Sequence, residues 1–285
     1  LPGGLHIYYF EAEVHGVIFF SSRVYPAGGK AGGTVEEAAP IIHNYALTYA
    51  VNGLPAEAYG MPPSLHYASF RGGKGGGRLE YPFIERVIKC IVNPSCSDSV
   101  VYAYPAAPML VRAQKFFTAI RTHSYGEYRG SLKTVFPRSV TLVGLAPGSR
   151  LNGFLASTTP LPGRLYARLG MKRAGMLMLR LTEAKVVGRL DEPEYTSHPV
   201  NVGDTAAMGY EVEDAIVVLE TRSAPFLGGR PCHGCARVGY VRARGLYEVE
   251  YRAGRSRRAL LPLPPARLGA APARERHRVE PAWQP

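Results

Sequence analysis

No apolar run in this 285-residue chain approaches the ~20 residues that a membrane-spanning helix needs; stretches such as Val17 to Phe20 are strand-sized. No membrane partner is expected. The opening LPGGLHIYYF lacks the basic region and long apolar core of a secretory signal, so a cytoplasmic location is the expectation. Cysteine is scarce: the 4 residues are too few for a secreted disulfide scaffold, and Cys90 and Cys96 stand far in sequence from Cys232 and Cys235. The Gly-rich stretch RGGKGGGR at 71–78 lacks the Ser or Thr that must follow Gly-Lys in a phosphate-cradling loop. Gly75 stands there instead, which excludes that reading and leaves a basic loop.

Acidic residues are also in short supply, 22 against 34 lysines and arginines, and the two signs are segregated. Residues 112–138 and 164–189 are strongly basic, 190–229 is acidic, and 230–285 is basic again and rich in arginine. Such segregation predicts a polyanionic partner for the basic segments and a protein contact for the acidic one. With 46% hydrophobic residues the chain has ample material for a core.

Strand patterns dominate. HIYYFEAEV alternates and is rich in aromatic and β-branched residues, and SVVYAY, AGMLMLRLTEAKVV, AIVVLET and GYVRARGLYEVEY read the same way, the last as a half-exposed hairpin. RAQKFFTAIRTH fits helix or strand; with VFPRSVTLVGL it supplies the arms of a long basic hairpin across Tyr125 to Ser131. The stretch PIIHNYALTYAVNG reads as a helix with Pro40 at its first position and Gly53 ending it, although Thr34 and Glu37 also fit a capping box. Many strands and few helices, without regular alternation, predict an α+β fold with a largely antiparallel sheet. One domain over 1–263 is the expectation, with the basic hairpin at about 110–146, and the Pro/Ala/Arg-rich composition of 264–285 predicts a disordered tail.

Three chemistries are open to these residues. Cys232 and Cys235 in PCHGC have the spacing of half a zinc site, with His233 or His198 as further donors; Cys90 and Cys96 are spaced too widely for the usual second half. A loop with free thiols, and no metal or cofactor, is the expectation. His43 with Tyr45, or His123 with Tyr125, can be drawn as a base and its partner. Successive helical residues point about 100° apart, which speaks against a compact dyad at His43. Finally, Arg112, Lys115, Phe116, Phe117, Arg121, His123, Tyr125, Tyr128, Arg129 and Lys133 interleave cations with rings. Cations neutralise phosphates and rings stack on splayed bases, so this segment suits single-stranded RNA.

The stretch PIIHNYALTYAVNG closely resembles the first-helix motif of the type I-D form of the Cas-five family, the Csc-one proteins of CRISPR Cascade complexes. FFSSR (Phe19–Arg23), VVYAYPAAP (Val100–Pro108), LAPGSRLNGFLAS (Leu145–Ser157), RLGMKRAG (Arg168–Gly175) and HPVNVGD (His198–Asp204) match that family in order. The resemblance implies a RAMP-type protein with a ferredoxin-like, RRM-related core and a thumb-like β-hairpin. It implies a non-catalytic subunit that holds the 5′ handle of the crRNA beside a Cas-seven-like backbone subunit and a Cas-ten-like large subunit. Target DNA near the PAM is a further partner, and a metal-independent endoribonuclease acting on precursor crRNA is the alternative. The residues assigned to RNA are Arg23, His43, Asn44, Lys115, Arg121, His123, Tyr125, Arg129, Lys133, Arg138, Lys172 and Arg173.

Overall fold

The computed structural model describes residues 4–19, 23–27, 33–37, 39–52, 69–71, 78–80, 82–120, 138–169, 175–220 and 237–268. The fold is mixed α+β, as the sequence predicts, and its sheets are mostly antiparallel. Its centre is β1 (His6–Val14), flanked on one side by β10 (Arg150–Ser157) and on the other by β12 (Gly175–Arg189). Beyond β10 lie β6 (Val101–Ala103) and β7 (Ala107–Leu110). The long β12 takes two further partners, β11 (Arg164–Leu169) along its first half and β17 (Tyr247–Ala253) along its second, and β18 (Arg255–Leu261) pairs with β17.

Strand alternation makes this sheet two-faced. Phe10, Ala12 and Val14 of β1 join Leu151, Leu155, Leu177 and Leu179 in one buried cluster. Ile7 and Tyr9 face the other way and pack with Phe154, Ala184 and the apolar side of α2 (Pro82–Val92), through Ile84, Val87, Ile88 and Ile91. Helix α1 (Asn44–Val51) sits at the sheet edge beside β6, sending Leu47 into the first cluster while Tyr45 and Tyr49 pack against the second. Both tyrosines thus pack on the core, and the Tyr49 ring stacks on Phe83 with centroids 5.0 Å apart.

A smaller sheet runs β2 (Arg23–Ala27), β3 (Gly33–Glu37), β9 (Arg138–Leu145), β8 (Ala113–Ile120), with β3 and β9 parallel. Residues 33–37 are therefore extended, which rules out the capping-box start for the helix. Strands β4 (Ser69–Arg71) and β5 (Arg78–Glu80) pair across the Gly-rich stretch, whose centre lies outside the described residues. The last sheet gathers β13 (Glu194–Tyr195), β14 (Val200–Asn201), β15 (Val212–Glu220) and β16 (Arg237–Ala243), with α3 (Val202–Ala207) following β14.

Three expectations need correction. Residues 239–251 do not fold back as one hairpin. Gly245, at φ 75°, turns β16 into β17, which belong to different sheets, and the observed hairpin is β17–β18 around Gly254. The supposed tail begins as structure: Pro265–Leu268 forms a short helix, α4, whose Arg267 is buried. Cys90 and Cys96 are joined in a disulfide with Cα atoms 5.2 Å apart, well within the span such a bond needs.

Gly239 on β16 admits no side chain. A Cβ there would lie 2.2 Å from the Ile216 carbonyl oxygen on β15, a backbone atom that cannot step aside. Gly239→Ala should cost about 3 kcal/mol, read as a lower urea midpoint. Gly163→Ala, where an added Cβ meets nothing within 4 Å, should leave the midpoint unchanged.

Candidate nucleic-acid interface

The helix that carries His43, Asn44 and Tyr45 begins later than Pro40. Ile42 is held extended by reciprocal backbone hydrogen bonds with Ala106, at 3.0 and 2.9 Å, so no helix can start before it. His43 is the N-cap: its backbone is extended (φ −60°, ψ 138°) and its Nδ1 accepts from the Tyr45 N–H at 3.2 Å. Its Nε2 is buried, so neither ring nitrogen is presented to solvent.

Beyond the cap, α1 acts as a substitute strand on the open edge of β6. Thr48 Oγ1 accepts from the Ala103 N–H at 3.0 Å. Asn52 accepts from the Val101 N–H at 2.9 Å and donates to the Val101 carbonyl at 2.6 Å. An exposed sheet edge must satisfy its backbone groups somewhere, and here helix side chains do it.

Asn44 opens onto a buried polar cluster. Its Nδ2 donates to Asp204 Oδ2 at 2.6 Å, and its Oδ1 accepts from Asn201 Nδ2 at 3.1 Å. Asp204 also accepts from the Tyr102 hydroxyl at 2.7 Å and the Tyr45 hydroxyl at 2.8 Å. Asn201 caps α3, accepting from the N–H groups of Gly203 and Asp204. Burial pushes the Asp204 carboxyl up to about 6, against the pull of its three donors. Asn44, Tyr102, Asn201 and Asp204 are at most 3% exposed, so the cluster holds α1, β6 and α3 together and touches no solvent. Asn44 therefore cannot contact RNA, because its amide is spent inside the protein. His43 is half-buried, with Nδ1 engaged in the cap and Nε2 turned inward.

His198 donates its Nε2–H to the Pro105 carbonyl at 2.8 Å and meets the Phe154 ring edge-on. Full burial lowers its pKa to about 4, so at neutral pH the ring is uncharged and Nε2–H is the donor. Its Nε2 is occupied in this way. The PCHGC loop lies outside the described residues. Cys90, Cys96 and Asp98 bring their donor atoms within 4.8 Å of one another, but the two sulfurs are bonded to each other.

The basic segment is where the cations are available. Strands β8 and β9 pair antiparallel from Ala113↔Leu145 to Ile120↔Arg138, which makes 113–120 a strand and the two stretches arms of one hairpin. Lys115 is exposed on the β8 edge, and Arg138 stands at the far end of β9. Arg23 begins β2 at the opposite edge, in the same cross-strand row as Lys115 through Glu37 and Val143. Arg121, His123, Tyr125, Arg129, Lys133, Lys172 and Arg173 lie outside the described residues.

The acidic segment is partly consumed internally. Asp204 is buried, Glu213 meets Arg244 at 3.2 Å and Arg242 at 3.8 Å, and Asp214 accepts from the Tyr195 hydroxyl. Sequence reasoning missed Tyr102, Asn201 and Asp204. Their motifs were visible in VVYAYPAAP and HPVNVGD, but nothing in either indicates that they meet at Asn44.

Residues 5–222 match the family model of the type I-D CRISPR-associated protein Cas5/Csc1. No curated protein matches the chain.

Proposed function

The chain belongs to the type I-D CRISPR-associated Cas5/Csc1 family, and on that footing we propose that it is a non-catalytic, RNA-binding subunit of a type I-D Cascade complex. Its role is to hold the 5′ handle of the crRNA, in contact with the backbone and large subunits. Family membership implies a place in a CRISPR Cascade complex, and among the described residues no helix is long and apolar enough to cross a membrane. The core is read as ferredoxin-like and of RAMP type, with the β8–β9 hairpin as its thumb. In such an assembly the guide reads sequence and the protein supplies charge and geometry.

The observation that carries this reading is the pairing of β8 with β9. It puts Lys115 and Arg138 on two paired strands, and Arg121, Arg129 and Lys133 stand between them in the sequence. With the buried Asn44 removed, the RNA set is Arg23, His43, Lys115, Arg121, His123, Tyr125, Arg129, Lys133, Arg138, Lys172 and Arg173. The protein contact of the acidic region falls on β15, where Ile216 and Val218 are 54% and 38% exposed and the neighbouring acids are already engaged.

The test is copurification of the whole complex with crRNA. Replacing Lys115, Arg129, Lys133, Lys172 and Arg173 by alanine should lower RNA content at least tenfold, since each lost phosphate contact also removes released counterions. Unchanged RNA content would sink the assigned surface. Specific cleavage of precursor RNA by the isolated protein in chelator, lost on changing His123, would establish the endoribonuclease instead.

A further inference from the structure

Among the described residues, half of one face of the central sheet is uncovered. On the side of Ile7 and Tyr9, the part near β17 is buried under α2 and its neighbours, and the part formed by β11, the start of β12 and the ends of β1 and β10 is open. Cross-strand register fixes what stands on the open part. One row runs Tyr166, Met178, Glu13, Arg150, and the adjoining row runs Arg164, Arg180, Glu11, Asn152, with Arg168 opposite Met176 beyond. Facing residues in such rows share one side of the sheet.

From this arrangement we infer that the open face of β11 and β12 is a binding site for single-stranded RNA, with Tyr166 as a stacking platform between Arg164, Arg168 and Arg180. The inference rests on the RNA-binding reading and adds to it a surface distinct from the β8–β9 hairpin.

Tyr166 is 62% exposed, the most exposed of the large apolar side chains among the described residues. A ring so placed contributes little to the core, and Met178 beside it supplies an apolar floor. Arg164 and Arg168 flank it on the same side of the same strand, each about 7 Å away along the backbone. A base laid on the ring would thus carry a cation toward the phosphate on either side of it.

Charge accounting favours a polyanion. Glu11 is paired with Arg150 at 3.4 Å, whereas among the described residues Arg164, Arg168 and Arg180 have no carboxylate partner. All three are exposed, and among the described residues β11 pairs with β12 alone. Ring stacking with flanking arginines accepts any base, so affinity here depends on the presence of bases and not on their order.

The experiment measures anisotropy of the full chain with a labelled eight-nucleotide RNA and with an abasic RNA of equal length. Tyr166→Ala should weaken the base-bearing RNA about tenfold and leave the abasic one unchanged, while Tyr166→Phe retains binding. Arg164→Ala with Arg168→Ala should weaken both and reduce the salt slope by about 1.4. If Tyr166→Ala binds like the parent, or loses both ligands equally, the inference falls. If hairpin variants at Lys115, Arg129 and Lys133 weaken binding and the sheet-face variants do not, the inference falls while the RNA-binding reading stands. A parent chain with no RNA affinity removes both. Intact RNA affinity with failed Cascade assembly in the Tyr166→Ala variant would put a protein on this face and overturn the inference.

Discussion

Asp204→Ala should lower the unfolding free energy by about 3–5 kcal/mol at pH 5, the scale of losing a buried, fully hydrogen-bonded partner. Three donors converge on this carboxyl, from Asn44, Tyr102 and Tyr45, and alanine leaves all of them facing a void. Asn44 and Tyr102 have no route to water, being 0% and 1% exposed. For a chain of this size the change is about 5–8 °C in melting temperature. Asp204→Asn should cost less. Its carbonyl can serve Asn44 and Tyr102, and its amide can donate to the Tyr45 hydroxyl, which accepts as readily as it donates.

The same site makes a pH prediction with a definite sign. The folded protein keeps the Asp204 proton up to about pH 6, whereas an unfolded aspartate releases it near 4. The folded state binds more protons between those values, so this group stabilises the fold at low pH and that contribution is lost as pH rises through 6. His198 runs in the opposite direction. Its folded pKa of about 4 lies below the unfolded value near 6.5, so its contribution is present above 6.5 and lost as pH falls toward 4. Each is worth about 3 kcal/mol, and between pH 4 and 6.5 they nearly cancel. Asp204→Asn should therefore expose the histidine slope, making the variant steadily less stable than the parent on acidification. His198→Gln should do the reverse. Urea midpoints at pH 4.5, 5.5 and 7 decide the matter, and parallel curves for parent and variants would refute it.

How far the sequence can be read depends on the distance over which each element is decided. β1 and β12 show their identity in local alternation, and so do the arms of the β8–β9 hairpin, where Phe116, Phe117 and Val140 to Val143 favour extended backbone. The start of α1 is different. Pro40 is a good first helical residue by local rules, but Ile42 is claimed by Ala106, and no local pattern contains that pairing. Asn44 shows the same limit more sharply. A polar residue in an apolar helix reads as a surface contact until its partner is known, and Asp204 stands 160 residues away. Cys90 and Cys96 were judged by counting cysteines, yet what joins them is a short turn after α2 that sets their backbones 5.2 Å apart. The arginine stripe on β11 lay within a segment noted for charge, but its meaning depends on which half of the sheet is covered.

The second large effect is expected at Arg267, in a stretch whose Pro, Ala and Arg content suggested disorder. Its guanidinium donates to the carbonyls of Cys90 at 2.7 Å, Ile91 at 3.1 Å and Asn93 at 2.6 Å, and it reaches Cys96 at 3.4 Å. These are the carbonyls that the end of α2 and the following turn leave without helical partners, and they carry the negative end of the helix dipole. A planar fork can serve several of them at once; an ammonium cannot. Arg267→Ala should cost about 3 kcal/mol, and Arg267→Lys should recover less than half of that. Hydrogen exchange should speed up at the end of α2 and in α4 before the central sheet is affected. The disulfide adds a further consequence, because the loop it closes holds the Asn93 and Cys96 carbonyls where Arg267 meets them. In a Cys96→Ser background the loop is freer and the arginine has less to hold, so Arg267→Ala should cost less there than in the parent. Equal penalties in both backgrounds would mean that the arginine anchors α4 to the helix alone and that the disulfide is independent of it.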